Sequence, residues 1–398
     1  MSPRTLELLD LIARWVHVIA GIMWIGNSLL FNWLDRILEP SSREGDRMQG
    51  ETWLVHSGGF YFLEKTLLIG QQLPRPLHWF KWQAYTTWLS GAVLLLVVYY
   101  AGGRALLIGG SRPELSPAAA VAIAAGSIVL TWVVYDVLWR VLAPRSKAVA
   151  ALLSIAGLLA LTWILTHFLS GRAAFIHVGA ALGTIMAGNV AMSIMPSQRV
   201  LVASVGEGRG SDPVIADQAK TRSIHNNYLT FPVVVLMLSS HFPSFYGHRL
   251  SWIILLVLIA AGAAVRHLMN ARFTYRRWIP ALAATVAVGV AALYMLVNSS
   301  GDRGRAMAAV RPVAEVTFEE VRSVIDRRCT PCHSAQPSDV SFGPAPGGAA
   351  FDTPEQIHAL SQRVRERAVE TRTMPPANKT RITDEERALL GRWTSGTR

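Results

Sequence analysis

A single pentapeptide, Cys329-Thr330-Pro331-Cys332-His333, contains both cysteines of this 398-residue chain. The spacing C-x-x-C-H is the attachment motif for c-type haem. Each thiol forms a thioether with a haem vinyl group, and the adjacent histidine ligates the iron. The motif therefore predicts covalent haem c on Cys329 and Cys332, with His333 as the proximal ligand.

The sixth ligand of such a haem is expected to be a methionine downstream. Met374 fits, because the two prolines that follow it hold its loop extended. The alternatives are a thioredoxin-like dithiol and one half of a zinc site. A zinc site needs four ligands and finds no further thiol here, and a redox dithiol does not need the histidine. Haem c is the favoured interpretation.

The flanks of the motif predict a small, class I-like cytochrome c domain. Apolar residues recur at helical spacing from Phe318 to Ile325. Downstream, Thr383 and Glu386 form a T-x-x-E capping box that opens a last helix. The first and last helices of c-type cytochromes cross each other. We therefore expect a contact between Phe318 and Trp393.

The rest of the chain has the composition of a membrane protein. Charged residues make up 16% of the whole chain, against about 25% in soluble proteins. We expect an all-α protein: an eight-helix transmembrane bundle in 1–298, a linker in 299–315 and the cytochrome c domain in 316–398. Segment 34–83 is expected to be an ordered loop outside the membrane, with a short helix. Eight stretches approach the roughly 20 apolar residues of a span: 11–33, 84–101, 118–139, 148–168, 174–195, 226–242, 250–270 and 278–297.

Charge predicts the orientation. Residues 316–398 carry 12 basic and 11 acidic residues, so most of the net charge of +12 belongs to the membrane part, and nucleic acid is not an expected partner. The connections after spans one, three, five and seven carry 6, 3, 4 and 3 Lys/Arg, and the others carry 2, 1 and 1. Since Lys and Arg favour the cytoplasm, both termini and the cytochrome should be periplasmic on a bacterial inner membrane. Haem c is attached on that side.

Histidines at membrane depth predict a second, b-type haem. Ionisable residues are costly there and usually functional. His17 and His177 each share a helical stripe with small residues, which would leave room for a flat porphyrin beside an axial ligand. These two are the predicted ligands, with His167 and His241 as weaker candidates. The alternative explanation of the small residues is close helix packing.

A polar constellation marks the predicted inner face. It could hold a flat, polar, anionic heterocycle, because Arg and amides pair with the edge of such a ring and aromatic side chains stack on its face. Imidazole titrates near neutral pH, so His225 is the candidate base. The alternative is a helix start with interfacial anchors. The predicted binding residues are Arg222, Asn226, Asn227, Tyr228, Lys81 and Gln83, with Arg266 and His267 at the same level.

These motifs resemble one family along the whole chain, the bacterial membrane-bound, cytochrome c-fused urate oxidases, or urate hydroxylases. The resemblance implies oxidation of urate to 5-hydroxyisourate with oxygen from water, and electrons passed to haem c and then to a respiratory acceptor. The residues alone imply only a transmembrane redox enzyme. A quinol-linked electron-transfer subunit and a transporter with a regulatory cytochrome remain as alternatives. The motifs are RWVH (14–17), WIGN (24–27), HSGGFYFLEK (56–65), KWQAYTTWLSG (81–91), RSIHNNYLTFPVVVLMLSSHFP (222–243) and the C-x-x-C-H site.

Overall fold

Helices dominate the computed structural model of this chain. The structure describes residues 3–40, 48–66, 68, 73–74, 76–101, 104–108, 115–209, 212–299, 316–339 and 345–396. The helices before residue 300 are α1 (Pro3–Ile37), α2 (Trp82–Leu95), α3 (Arg104–Leu107), α4 (Pro117–Val137), α5 (Lys147–Phe168), α6 (Gly171–Asn189), α7 (Met195–Gly206), α8 (Pro213–Leu238), α9 (Pro243–Tyr246), α10 (Ser251–Ala271) and α11 (Trp278–Asn298). Three of them continue in π-helical turns, at Leu96–Ala101, Leu138–Leu142 and Val190–Ile194.

Polar residues directly before the apolar runs start several of these helices. The side chains of Ser116, Ser146 and Ser170 accept backbone N–H bonds at the first turns of α4, α5 and α6. Asp212 does the same for α8, and a proline follows it at the first helical position. Such caps satisfy N–H groups that have no partner within the helix.

Seven helices in the described part of the chain are long and apolar enough to cross a membrane, not eight. The missing one is the predicted span 226–242. It lies in α8, which begins earlier and carries Arg222 and six other polar residues in its first half, so its hydropathy is low. By packing, α8 still belongs to the bundle, because it lies against α6 and α10. At 1.5 Å per residue its 26 residues extend about 39 Å, enough to reach across a bilayer.

The segment after α1 contains a β-hairpin, so the fold is mostly helical and not all-α, and the described residues between α1 and α2 contain no short helix. Strands β1 (Met48–His56) and β2 (Gly59–Thr66) pair antiparallel around the turn residues Ser57 and Gly58. Both turn residues have positive φ, 51° and 75°, as two-residue hairpin turns of this kind require. Aromatic and β-branched residues on both sides of a Ser-Gly pair were the available signal.

Helix α6 lies at the centre of the membrane part. It packs against α4, α5 and α8, and α8 in turn packs against α10. Two glycines allow close approach. An added Cβ at Gly179 would meet Leu236 of α8 at 3.1 Å, and one at Gly262 of α10 would meet the nitrogen of Pro232 at 2.9 Å. The backbones of α6, α8 and α10 therefore lie close together along the apolar second half of α8.

The C-terminal residues form a second hydrophobic core from α12 (Phe318–Arg328), α13 (Pro354–Ala359), α14 (Ser361–Val364) and α15 (Asp384–Gly396). The predicted contact between Phe318 and Trp393 is confirmed, with ring centroids 6.3 Å apart. His358, which the sequence did not single out, stacks on Phe318 at 4.8 Å. The predicted capping box of Thr383 and Glu386 is also confirmed. Most of the predicted linker 299–315 lies outside the described residues.

Candidate functional site

One face of α8 carries a buried ion pair. The Arg222 side chain is 4% exposed, and its Nη2 donates to Asp136 Oδ1 at 3.0 Å. Asp136 also pairs with Arg140 at 2.6 Å. The guanidinium lies over the ring of Tyr135, 4.8 Å from its centroid. Arg222 Nη1 is buried and has no protein partner among the described residues. The Arg222 cation is thus neutralised by a carboxylate, and its Nη1 remains available as a hydrogen-bond donor.

His225 and Asn226 lie on the same face as Arg222 and complete a network with α4 and α6. Asn189 Nδ2 donates to the Tyr135 hydroxyl at 3.0 Å and to Asn226 Oδ1 at 2.9 Å. The Tyr135 hydroxyl lies 2.7 Å from His225 Nδ1. Asn189 and His225 therefore both contact the phenol oxygen of Tyr135. We call this set the Arg222 cluster: Arg222, Asp136, Tyr135, Asn189, His225 and Asn226.

The next two predicted residues, Asn227 and Tyr228, lie on the opposite face of α8 and contact α10. Asn227 Oδ1 accepts from Arg266 Nε at 3.1 Å and from Asn270 Nδ2 at 2.7 Å. The Tyr228 hydroxyl lies 2.8 Å from His267 Nδ1. We call Asn227, Arg266 and Asn270 the Arg266 cluster. The predicted heptapeptide therefore serves two polar clusters and not one.

Lys81 and Gln83 start α2 and make none of the described hydrogen bonds to either cluster. Lys81 Nζ lies 5.5 Å from the centroid of the Trp82 ring. Gln83 Oε1 is buried without a partner among the described residues. Both residues stay predicted substrate contacts, and Gln83 keeps an open acceptor.

Three functional candidates, Tyr135, Asp136 and Asn189, were missed from the sequence. Their signal was present, because Asp136 and Asn189 are polar residues within otherwise apolar helices. Such residues face the bundle interior and mark sites. They were not predicted, because only the histidines at membrane depth were considered as candidates in the apolar helices.

His17 has the geometry of a haem ligand. Its Nδ1 donates to the Thr87 carbonyl at 2.9 Å, which fixes the ring and leaves Nε2 free to bind a metal. Gly91 of α2 lies directly against the ring, since an added Cβ there would be 3.0 Å from His17 Cε1. Gly91 therefore makes room for the imidazole of His17.

His177 fits that role less well. It is fully buried, its Nδ1 donates to the Ala173 carbonyl at 2.7 Å, and its Nε2 accepts from the Tyr100 hydroxyl at 3.0 Å. Iron could bind Nε2 only if Tyr100 moved away. Farther along the same stripe, Gly188 makes room for the indole of Trp132, so helix packing explains that small residue. His177 stays a predicted ligand without geometric support.

The C-x-x-C-H segment forms a turn that suits haem attachment. The N–H groups of Cys332 and His333 both donate to the Cys329 carbonyl. His333 Nδ1 donates to the Ala349 carbonyl at 3.0 Å, which leaves Nε2 available. Burial raises the pKa of the Cys329 thiol to about 12, and burial beside Asp339 raises the pKa of Cys332. Redox-active dithiols have lowered pKa values, so this environment disfavours the thioredoxin-like alternative.

Met374 is tied to the same region through its backbone. Its N–H donates to the Arg367 carbonyl at 2.9 Å, and its carbonyl accepts from Arg387 Nη1 at 2.9 Å. Arg387 also interacts electrostatically with Cys329. Arg328, next to Cys329, exchanges two hydrogen bonds with Thr380. These hydrogen bonds hold the loop that carries Met374 beside the cysteine turn.

The Met374 loop also contacts the membrane part. Arg367 Nη1 donates to the Tyr246 hydroxyl at 3.4 Å, and Thr371 and Thr373 pack against Gly247. The turn Pro376–Asn378 packs on α3. These contacts lie at the connections that carry few Lys and Arg, at the opposite end of α8 from the Arg222 cluster.

Comparison with known proteins identifies the membrane part. A family model described as "Urate oxidase N-terminal" matches residues 3–297, about three quarters of the chain. The chain belongs to the urate oxidase N-terminal family. No curated protein and no solved structure matches it.

Membership in the urate oxidase N-terminal family indicates a urate-related oxidoreductase. The match includes both polar clusters, His17 and His177, and it ends before the C-x-x-C-H segment. Seven apolar helices make this member a multi-pass membrane protein.

Proposed function

We propose that this protein oxidises urate to 5-hydroxyisourate and delivers the electrons to haem c. Urate and water give 5-hydroxyisourate, two protons and two electrons, so the oxygen atom comes from water. The observation that carries the proposal is the family match, which covers the part of the chain with the buried polar clusters. The resemblance that includes the C-x-x-C-H segment supports the electron acceptor.

Urate would bind at the polar end of α8, which the Lys/Arg counts place at the cytoplasmic face. Four buried polar atoms there lack protein partners among the described residues: Arg222 Nη1, Arg266 Nη2, Asn270 Oδ1 and Gln83 Oε1. Buried polar groups are nearly always hydrogen-bonded. A polar ring bound at one of the clusters would satisfy the open atoms of that cluster, and the aromatic side chains nearby offer a stacking face.

His225 is the proposed proton acceptor, and Tyr135 governs how it acts. In the tautomer that carries its proton on Nε2, neutral His225 accepts the phenol proton of Tyr135 at Nδ1. A proton from the substrate can then be passed on by Tyr135. Its phenol oxygen accepts that proton while its own proton moves to His225 Nδ1. Tyr135 becomes a positioning residue, and Asn189 holds its oxygen in place.

Haem c would be held by Cys329, Cys332 and His333, with Met374 as the sixth ligand. When bound there, it supplies one-electron acceptor chemistry, and a periplasmic or membrane respiratory partner would take the electrons onward. The hydrogen bond from His333 to Ala349 sets the ring orientation that ligation needs.

Met374→His should lower the reduction potential of haem c while the covalent haem is retained. Thioether ligation raises the potential relative to histidine ligation. A redox titration of the haem c absorption band measures the change. An unchanged spectrum and an unchanged potential would show that Met374 is not the ligand.

Anaerobic addition of urate to purified protein should reduce haem c, seen in its absorption band, with one 5-hydroxyisourate formed for every two haems reduced. Dithionite gives the fully reduced reference, and protein without urate is the control.

The same experiment separates the alternatives. A quinol-linked subunit would be reduced by quinol and be indifferent to urate. A transporter would take urate into vesicles without any change in haem c.

A further inference from the structure

Arg266 is a buried cation without a carboxylate partner. It is 3% exposed, and it forms no salt bridge with any described acidic residue. Arg222, the comparable residue on the other face of α8, is neutralised by Asp136. An unpaired buried charge costs several kcal/mol. Its retention at this position points to a negatively charged ligand.

Hydrogen bonds fix the direction in which Arg266 points. Nε donates to Asn227 Oδ1 at 3.1 Å, and the guanidinium carbon lies 5.6 Å from the centroid of the Phe231 ring. Nη2 is buried and has no protein partner among the described residues. Nη2 of the planar Arg266 guanidinium is therefore available, inside the protein, to donate a hydrogen bond to a ligand.

Asn270 supplies an acceptor beside that donor. Asn227 Oδ1 already accepts from Arg266, and it accepts from Asn270 Nδ2 at 2.7 Å as well. The opposite flip of the Asn270 amide would bring two oxygens together, so its orientation is determined. Asn270 Oδ1 is left buried and unpartnered. Both side chains are thus held by a single oxygen, Asn227 Oδ1.

We propose that Arg266 and Asn270 bind the edge of an anionic heterocycle that presents a carbonyl next to a ring N–H. The carbonyl or ring anion accepts from Arg266 Nη2, and the N–H donates to Asn270 Oδ1. A carboxylate offers only acceptors and leaves Asn270 unsatisfied, and water leaves the charge unpaired. This inference rests on the proposed function for the identity of the ring, which is then urate. It assigns recognition of the anion to Arg266 and not to Arg222.

The test uses the full-length, haem-loaded protein in detergent and urate as the probe, with equilibrium dialysis as the measurement. Arg266→Gln should weaken urate binding by about 10- to 100-fold, the range for a lost charge-assisted hydrogen bond. Arg266→Lys should recover part of the loss. Arg276→Gln, at an exposed position close by, is the matched control and should bind as the wild type does.

Stability separates a binding role from a structural one. Without urate, Arg266→Gln should melt at or above the wild-type temperature, because an unpaired buried charge has been removed. Saturating urate should raise the melting temperature of the wild type more than that of the variant. Equal affinity for urate in wild type and Arg266→Gln overturns the inference.

Methylated urates test the acceptor. Each positional methylurate lacks one ring N–H, and one of them should bind the wild type about 10-fold more weakly than urate does. In Asn270→Ala that difference should fall to about 2-fold or less. An undiminished difference overturns the role of Asn270, and so does competition by inorganic phosphate at concentrations near those of urate.

Failure of the proposed function gives a different pattern. If the wild type binds urate and Arg266→Gln does not, but urate never reduces haem c, then the site stands and the oxidase function falls. If the wild type binds no urate at all, both are wrong.

Discussion

His17→Ala is expected to remove a non-covalent haem from the protein and to stop urate from reducing haem c. The two polar clusters and the Met374 loop lie at opposite ends of the bundle, and a hydrocarbon core is about 30 Å thick. Electrons need a carrier between them. Both cysteines are assigned to haem c in the proposed function, which leaves no thiolate for an iron–sulfur cluster. Among the histidines at membrane depth, His17 has a free Nε2 and a fixed ring.

Acid–acetone extraction measures the effect. Wild-type protein should release the non-covalent haem and keep haem c on the polypeptide, whereas His17→Ala should release no haem. His241→Ala is the control, because His241 is exposed at the same predicted level and should leave the extractable haem in place. If pure, active protein yields no extractable haem, the idea is wrong. Urate would then have to bind within direct reach of the cytochrome.

Gly247→Ala is expected to disconnect haem c from the membrane part. An added Cβ would lie 2.6 Å from Thr371 Cβ and 2.8 Å from Thr373 Cγ2, next to the loop that holds Met374. Those contacts have no free space, so the two surfaces must separate. Electron transfer slows severalfold for each ångström of added distance. Stopped-flow mixing with urate should show haem c reduction slowed to that extent, with an unchanged reduction potential.

Two further variants make this result specific. Gly183→Ala places the same methyl group in an open position of α6 and should reduce haem c at the wild-type rate. Removing the opposing carbon atoms with Thr371→Gly and Thr373→Ser should restore the rate of Gly247→Ala. If the rate stays low, the defect comes from the Pro243 carbonyl, which lies 2.8 Å from the added Cβ, and not from the contact between the two parts.

Local patterns predicted the features that depend on neighbours in sequence. The capping box of Thr383 and the contact between Phe318 and Trp393 follow from short-range signals and a known helix crossing. The stacking of His358 between those aromatics did not, because it depends on where α13 packs. The hairpin at Ser57-Gly58 carried a local signal that was passed over in favour of a helix.

The polar end of α8 shows where sequence reasoning stopped. At about 100° per residue, Arg222, His225 and Asn226 share one face, and Asn227 and Tyr228 point away from it. That periodicity was available and would have separated the two clusters. The partners were not available, because Asp136 is 86 residues from Arg222 and Asn270 is 43 from Asn227. Only the packing of α4 and α10 against α8 shows which cation is neutralised.

The polarity of α8 also determines how the chain enters the bilayer. Its first half is too hydrophilic for insertion by its own hydrophobicity. Arg222 needs Asp136 from α4, which is synthesised earlier, and Asn227 is bonded by α10, which is synthesised later. We therefore expect helix α8 to enter the membrane together with its neighbours, after α10 emerges, and not as an independent segment.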